Sequence, residues 1–180
     1  MKKSFLLIVA IVTFNQSFLA QENKVASKLF YSELGGPGVI MSVNFDSRFD
    51  SSSQFGLGFR LGVGFGYGEF RSKGFVPFGE YYDYVTRTYY SIPTGLNYVF
   101  GKPGSPHTFE TGVGVTFLTR KVALYNFGGN EDGNLIGHLS FMYRRIPENG
   151  GFSWRIGLTP IIGTSGNLFP MGAIGFGYAF

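Results

Sequence analysis

Two side chains that could act together in a hydrolytic reaction lie two residues apart, at His138 and Ser140. Residues i and i+2 of a β-strand point to the same face, so a base and a nucleophile could be neighbours there. The same alternation places both side chains on a face that also carries charged residues. The pair could therefore be a catalytic site or part of a buried polar network. We favour the network, and the sequence predicts no catalytic residue.

Charged and polar side chains recur on one face of the predicted strands. This face holds Glu33, Asn44, Asp46, Arg48, Arg60, Asn97, Glu110, His138, Ser140, Arg144 and Arg155. Charges that are removed from water must be paired and hydrogen-bonded. We therefore predict a structural polar network in which three carboxylates pair with three arginines. Its members are Glu33, Asp46, Arg60, Glu110, His138, Arg144 and Arg155.

Several other chemistries lack the residues that they need. The chain has no cysteine, which excludes disulfides and thiolate metal ligands, and its two histidines are far apart in sequence. Its 28 glycines form neither a P-loop nor a dinucleotide-binding fingerprint. No cluster of lysine and arginine stands out. We expect no metal, no cofactor and no nucleic-acid partner.

Alternation with a period of two residues organises most of the chain, which predicts strands. The stretch 56–68, GLGFRLGVGFGYG, is the clearest example, because glycine or Arg60 alternates with large apolar residues. The same alternation recurs in 109–117, 135–144, 152–159 and 173–180. One face is apolar throughout, and the other is small, polar or charged.

This pattern is the inverse of the one expected for a soluble barrel, whose apolar face would lie inside. Charged residues make up only 14% of the chain, against roughly 25% in typical soluble domains. An apolar face toward lipid and a polar face toward the interior is typical of transmembrane barrels. The sequence therefore predicts an all-β fold, an eight-stranded antiparallel up-and-down transmembrane β-barrel.

The number of strands follows from the connections, which alternate between short and long. Short turns are expected at 50–53, 102–106 and 147–150, and longer connections at 70–87, 122–133 and 163–170. Seven strands are expected at 38–49, 54–69, 88–101, 107–120, 134–146, 151–162 and 170–180. Bacterial barrels have an even number of strands, so residues 28–35 supply the eighth, followed by a tight outer turn at 35–38. Pro93 and Pro160 predict local bulges or unpaired edges.

The first 20 residues are predicted to be a secretory signal peptide. Lys2 and Lys3 precede an apolar run at 5–12 that is too short to span a bilayer as a helix. Cleavage after Ala20 would leave residues 21–180 as one outer-membrane barrel domain. Without the signal peptide, the chain has 13 basic and 11 acidic residues, which give a net charge of +2.

The last six residues, GFGYAF, place Phe176, Tyr178 and Phe180 on one face. This ending resembles the C-terminal signal that the outer-membrane assembly machinery recognises in many barrels. In architecture, the chain resembles small eight-stranded outer-membrane barrels of the OmpA/OmpX type. The stretches ELGGPGVIMSVNFDSRF, SIPTGLNYVFGK and GFGYAF also resemble an unassigned barrel family of Bacteroidetes. The resemblance implies a place in the bacterial outer membrane, with its lipids and the assembly machinery as partners, and no established activity.

A structural or surface-interaction role is the function that we favour, and two alternatives stay open. The glycines of 56–68 leave interior volume, which would suit a narrow channel or a carrier for small molecules. Outer-membrane lipid A deacylases are barrels with a His-x-Ser pair and an acidic partner, so His138 and Ser140 resemble part of such a site. Phe141 stands where that family has asparagine, and Glu148 is the candidate acidic partner.

The segment 70–90 is rich in aromatic residues and is open to two interpretations. It could be an exposed loop that binds a glycan or a protein, or it could continue the strands into an interfacial aromatic girdle. Tyr82, Tyr84 and Tyr90 have the same parity as the lipid-facing residues of the next segment, which favours the girdle.

Overall fold

The computed structural model describes residues 25–76, 79–120, 133–163, 166 and 168–180, with the backbone alone described over 68–85. The predicted signal peptide and most of the predicted connection 122–133 lie outside these residues. The fold is all-β, as the alternation predicts, and one 3-10 turn is its only helical element in the described part of the chain. No helix among these residues is long and apolar enough to cross a membrane.

Eight antiparallel strands form a closed barrel, which confirms the predicted fold class. They are β1 (Lys28–Gly35), β2 (Met41–Arg48), β3 (Gly56–Val76), β4 (Gly79–Gly101), β5 (His107–Leu118), β6 (Leu135–Arg145), β7 (Gly151–Leu158) and β8 (Gly172–Ala179). Each strand pairs with its neighbours in sequence, and β1 pairs with β8 to close the sheet. Two short strands, Ile161–Ile162 and Leu168–Phe169, lie in the connection between β7 and β8.

The two ends of the barrel differ in their connections. At the short-turn end, strands are joined through 49–55, 102–106 and 146–150, and β1 begins and β8 ends there. In one of these turns, hydrogen bonds from the Ser52 hydroxyl (2.6 Å) and amide (2.9 Å) lower the pKa of the Asp50 carboxyl. The opposite end carries the two longest connections, 119–134 and 159–171, together with the turn at 36–40 and the end of the β3–β4 hairpin. We call it the long-connection end.

Strands β3 and β4 are much longer than the others and form a two-stranded ribbon, residues 67–76 and 79–87. The β2–β3 ladder ends at Phe65 and the β4–β5 ladder at Ser91, whereas β3 and β4 stay paired as far as Val76 and Gly79. At about 3.3 Å per residue, the ribbon extends the hairpin by roughly 35 Å. The long connection predicted at 70–87 is therefore a paired hairpin, which agrees with the favoured interpretation that the strands continue through this segment. Aromatic and β-branched residues there favour continued pairing over a loop.

The two prolines interrupt ladders without shifting them, so of the predicted bulges or unpaired edges the structure shows unpaired gaps and no bulge at these two positions. The β3–β4 ladder has the same register at Ser91 and Thr94, on either side of Pro93. The register of β7 on β6 likewise continues across Pro160 into Ile161–Ile162. A missing N–H leaves a gap in the hydrogen bonding, whereas a bulge would need an inserted residue.

Burial follows the alternation along each strand. On β3, the outward apolar residues from Leu57 to Tyr67 include side chains that are 49–66% exposed, while Arg60 between them is 2% exposed. Exposed large apolar side chains of this kind lie on β1 and on β3 through β8. On β4 next to the ribbon, Tyr90 is 62% exposed and Tyr89 is buried. The side chains of residues 68–85 lie outside the described part.

Glycines on the inward face make room for large interior side chains. A Cβ atom at Gly66 would lie 2.5 Å from Tyr89 Cζ, and one at Gly58 would lie 2.5 Å from Arg48 Cζ. Both distances are too short for real contacts between these atoms. The alternating glycines therefore let bulky residues of neighbouring strands lie across β3 inside a narrow barrel.

The connection between β1 and β2 folds into the barrel as a 3-10 turn, Gly36–Gly38, whose three residues are all buried. The Pro37 carbonyl accepts a hydrogen bond from Thr116 Oγ1 on β5 (2.8 Å), and the Gly38 carbonyl accepts one from Ser91 Oγ on β4 (3.0 Å). The tight turn predicted at 35–38 is present, at the end of the barrel opposite the short turns, and it folds into the interior. Glycine and proline favour a turn there, but the turn is stabilised by polar partners on the opposite wall.

Val39 follows this turn and closes the long-connection end from inside. Its φ of 76° lies in the left-handed region, which is costly for a β-branched residue. Its side chain packs in a buried apolar cluster. The other members of that cluster are Tyr89, Leu118, Ile136 and Ile161. We call residues 36–39 the inward turn.

Candidate functional site

The seven residues of the predicted polar network all lie inside the barrel. They come from six strands, and none is more than 4% exposed. They are Glu33 on β1, Asp46 on β2, Arg60 on β3, Glu110 on β5, His138 and Arg144 on β6, and Arg155 on β7. The inward parity of each strand brings these side chains to a common interior.

Glu110 is the centre of this network. Its Oε1 accepts hydrogen bonds from Arg60 Nη2 at 2.5 Å and from Arg155 Nη2 at 3.1 Å. Its Oε2 accepts one from Arg144 Nη1 at 2.6 Å. Ser140 Oγ also donates to Oε1, at 3.3 Å. Three guanidinium groups from three strands therefore share one buried carboxylate.

Asp46 forms a second centre, on the side of the barrel near β2. Its Oδ1 accepts from Arg48 Nη2 at 2.5 Å and lies 3.4 Å from Arg144 Nη2, so Arg144 bridges the two carboxylates. The Asn97 amide donates to Asp46 and accepts from Arg48. Arg48 was placed on the inward face by sequence but was not among the predicted ion pairs.

Tyr31 contacts the interior ion pairs and was not predicted by the sequence analysis. Arg155 Nη1 donates to Tyr31 Oη at 2.8 Å, and the guanidinium carbon lies 4.7 Å from the centre of the tyrosine ring. Arg155 Nε is also 3.2 Å from Glu33 Oε1, an ion pair without good hydrogen-bond geometry. The signal was available, since Tyr31 has the same inward parity on β1 as Glu33.

The interior is nearly balanced in charge and tightly filled. The interior contains four buried arginines and three buried carboxylates, so its net charge is +1 when His138 is neutral. The space between Arg60, Asn97, His138 and Ser140 does not admit a water molecule. At this level the barrel is therefore filled by side chains, as expected for eight strands.

His138 and Ser140 lie inside the barrel but make their hydrogen bonds to different partners. Ser140 Oγ donates to Glu110, and His138 Nδ1 lies 3.3 Å from Thr116 Oγ1. A serine nucleophile is activated by a direct hydrogen bond to its base. The two residues make no such bond with each other. Among the described residues, no group of three or more His, Asp or Glu side chains could hold a metal ion.

The residues of the C-terminal pattern lie at the seam of the barrel. Phe176 and Tyr178 point outward from β8 and are 50% and 43% exposed. Phe180 follows the strand, and its amide donates to the Lys28 carbonyl at 2.9 Å. The last strand therefore presents aromatic side chains outward next to the strand that closes the sheet.

No protein-family model, no curated protein and no solved structure matches the chain. The closed eight-stranded barrel is consistent with the resemblance in architecture to small outer-membrane barrels, and no family assignment follows from it. Function is therefore inferred from the geometry of the barrel itself.

Proposed function

We propose that the protein is an integral barrel of the bacterial outer membrane with a structural or surface-interaction role. One observation carries the proposal: apolar side chains cover the outside of a barrel whose charged side chains are buried inside. In water, such a surface would be a large exposed apolar patch, which soluble monomers rarely carry. In lipid, the same surface is solvated, and every strand edge is satisfied because the sheet is closed.

The height of the apolar surface supports this proposal. Along β3 it runs from Leu57 to Tyr67, which is about 33 Å of strand at 3.3 Å per residue. With a strand tilt of about 40°, the height along the barrel axis is roughly 25 Å, the apolar height of outer-membrane barrels. We call this surface the apolar belt.

The connections support an orientation. Outer-membrane barrels have short periplasmic turns and longer extracellular loops. The short-turn end would then face the periplasm, and the ribbon of β3 and β4 would stand on the cell surface. A paired ribbon of roughly 35 Å supports a role in surface contact rather than catalysis. The partners that we propose are outer-membrane lipids and, during biogenesis, the assembly machinery acting on Phe176, Tyr178 and Phe180.

Membrane fractionation combined with gel mobility tests the proposal. We expect the protein in the outer-membrane fraction, with different mobility before and after boiling, because a closed barrel resists the detergent. A protein found in the soluble fraction, without a mobility change on heating, would overturn the proposal.

Substituting arginine for Val63 tests whether the apolar belt faces lipid. Val63 is 65% exposed and lies near the middle of the belt. Arginine at the bilayer midplane costs roughly 2–4 kcal/mol, whereas a surface substitution in water changes stability by about 0.5 kcal/mol or less. We expect the larger loss when Val63→Arg is unfolded by urea from lipid vesicles. Ser51→Arg, in an exposed short turn, is the matched control and should behave as the wild type.

A narrow channel is the second candidate, favoured by Arg60, whose Nε and Nη1 have no hydrogen-bond partner in the described interior. Two obstacles oppose it, the filled space beside Arg60 and the inward turn. We expect planar-bilayer recordings on the purified protein to show no conductance steps. Reproducible steps that disappear on boiling the sample would show that the interior opens, and would favour the channel.

A further inference from the structure

We propose that His107, Tyr143, Arg145 and Trp154 form a binding site for the phosphate headgroup of an anionic phospholipid; this inference rests on the proposed membrane location. The four residues lie on the outward face of three adjacent strands at the short-turn end. We call them the rim site. None of them belongs to the interior network, and none is explained by barrel packing alone.

Strand register brings the four side chains together. His107 on β5 pairs with Arg145 on β6, and Arg145 pairs in turn with Trp154 on β7. Tyr143 lies two residues before Arg145, on the same face of the strand. Directly paired residues have Cβ atoms about 5 Å apart, so Arg145 is flanked by an imidazole and an indole.

Aromatic contacts hold the site in place. The Tyr143 ring lies 5.2 Å from the Trp154 ring, 5.6 Å from the Phe109 ring and 6.0 Å from the His107 ring. The Tyr143 hydroxyl is also hydrogen-bonded to His107 Nδ1. The four rings thus form a fixed wall at the edge of the apolar belt. Tyrosine and tryptophan are enriched at this depth, where the apolar ring meets hydrocarbon and the polar atom meets headgroups.

Arg145 supplies the positive charge of the rim site. It is half-buried, and in the described part of the chain its guanidinium makes no hydrogen bond or ion pair. The indole N–H of Trp154 is likewise without an acceptor there. Glu148, in the adjacent turn, is exposed and does not pair with Arg145. These donors face the membrane interface, whereas each of the four interior arginines has a carboxylate partner.

A lipid phosphate matches these donors. Guanidinium binds phosphate oxygens through two parallel hydrogen bonds, and its planar fork loses little freedom for each hydrogen bond formed. The rim site lies at the short-turn end, so the lipid belongs to the periplasmic leaflet in the proposed orientation. The acyl chains would extend along the exposed Phe109 and its neighbours on the apolar belt.

Trp154 is the only tryptophan in the chain, so its fluorescence reports on the rim site. The full-length protein is refolded in phosphatidylcholine vesicles with a minor fraction of phosphatidylglycerol, and bromine is placed on the acyl chains of one lipid or the other. At equal mole fractions of brominated lipid, we expect the anionic lipid to quench Trp154 fluorescence about three times as strongly as the neutral lipid. A threefold preference corresponds to the free energy of one exposed ion pair.

Three variants distinguish a specific lipid site from general electrostatic attraction between the protein and anionic lipid. Arg145→Gln should bring the quenching ratio close to one, and Arg145→Lys should keep part of the preference. Lys102→Gln removes a cation from the neighbouring turn and should leave the ratio unchanged; loss of preference in this control would overturn the proposed site. Gel mobility before and after boiling shows that each variant is folded.

The outcomes distinguish this inference from the proposed function. Equal quenching of the wild type by both lipids overturns the rim site and leaves the membrane barrel intact. A Trp154 that neither lipid quenches, in protein that is folded but does not enter vesicles, overturns the membrane proposal as well.

Discussion

Replacing Glu110 with glutamine is expected to lower the free energy of unfolding of the barrel by about 3–5 kcal/mol. The substitution keeps the shape of the side chain but removes the carboxylate that Arg60, Arg144 and Arg155 share. The excess interior charge would rise from one to two positive charges, among side chains that are almost fully buried. Urea titration in lipid vesicles, followed by Trp154 fluorescence and by the loss of folded gel mobility, measures the effect.

A matched control and a second-site change sharpen the Glu110 result. Glu148→Gln removes an exposed carboxylate that has no ion pair in the described structure, and should change stability by about 0.5 kcal/mol or less. Adding Arg60→Gln to Glu110→Gln should recover part of the loss, because it removes one unpaired cation. Equal stability of Glu110→Gln and wild type would show that the interior is hydrated.

Placing leucine at Gly66 is expected to destabilise the barrel by about 3 kcal/mol, or to prevent it from closing. A Cβ atom there would lie 2.5 Å from both Cζ and Oη of Tyr89, and Tyr89 is buried in the cluster that closes the long-connection end. Tyr89 is only 1% exposed, so a leucine at 66 has to displace its ring from that cluster. The folded fraction is measured by gel mobility after refolding, and its stability by urea titration.

Two comparisons test the origin of the Gly66 effect. Gly172→Leu serves as the control, since a Cβ atom at Gly172 would meet nothing closer than 3.9 Å. In a Tyr89→Ala background, leucine at 66 should become neutral or stabilising, because it fills the space that the ring vacates. Additive losses from Tyr89→Ala and Gly66→Leu would refute steric exclusion as the cause.

The barrel itself could be predicted from sequence because side-chain direction in a strand has a period of two. Arg60 among the glycines of β3 is enough to identify the inward face of that strand. The alternation along β5 and β7 then places Glu110 and Arg155 on the inward faces of those strands. Which arginine meets which carboxylate depends on register between strands that are far apart in sequence. For that reason the roles of Arg48 and Tyr31 became clear only from the structure.

Errors in prediction occurred where local signals fix a backbone conformation but not its surroundings. The sequence GGPG at 35–38 indicates a turn, but its inward direction depends on Thr116 and Ser91 across the barrel. The segment 70–90 was open to two interpretations, an exposed loop or continued strands, and the parity of Tyr82, Tyr84 and Tyr90 favoured the continued strands that the structure shows. In the proposed orientation, the ribbon extends beyond the apolar belt, and both of its faces contact water. Charged side chains are solvated on either face, so paired strands need no alternation of apolar and polar residues there.

The buried ion network also bears on how the barrel assembles. Apart from the Asp46–Arg48 pair, its ion pairs join residues at least 34 positions apart, and the Arg155–Tyr31 hydrogen bond, which joins residues 124 positions apart, spans the seam where the last strands meet the first. In the proposed membrane location, a half-closed sheet would leave these charges unpaired in hydrocarbon, and a one-residue slip of a strand would turn the inward charges of that strand outward. Incomplete or misregistered intermediates are therefore disfavoured. Closure of the barrel should therefore be close to all-or-none, because the interior charges are paired only when the strands have the correct order and register.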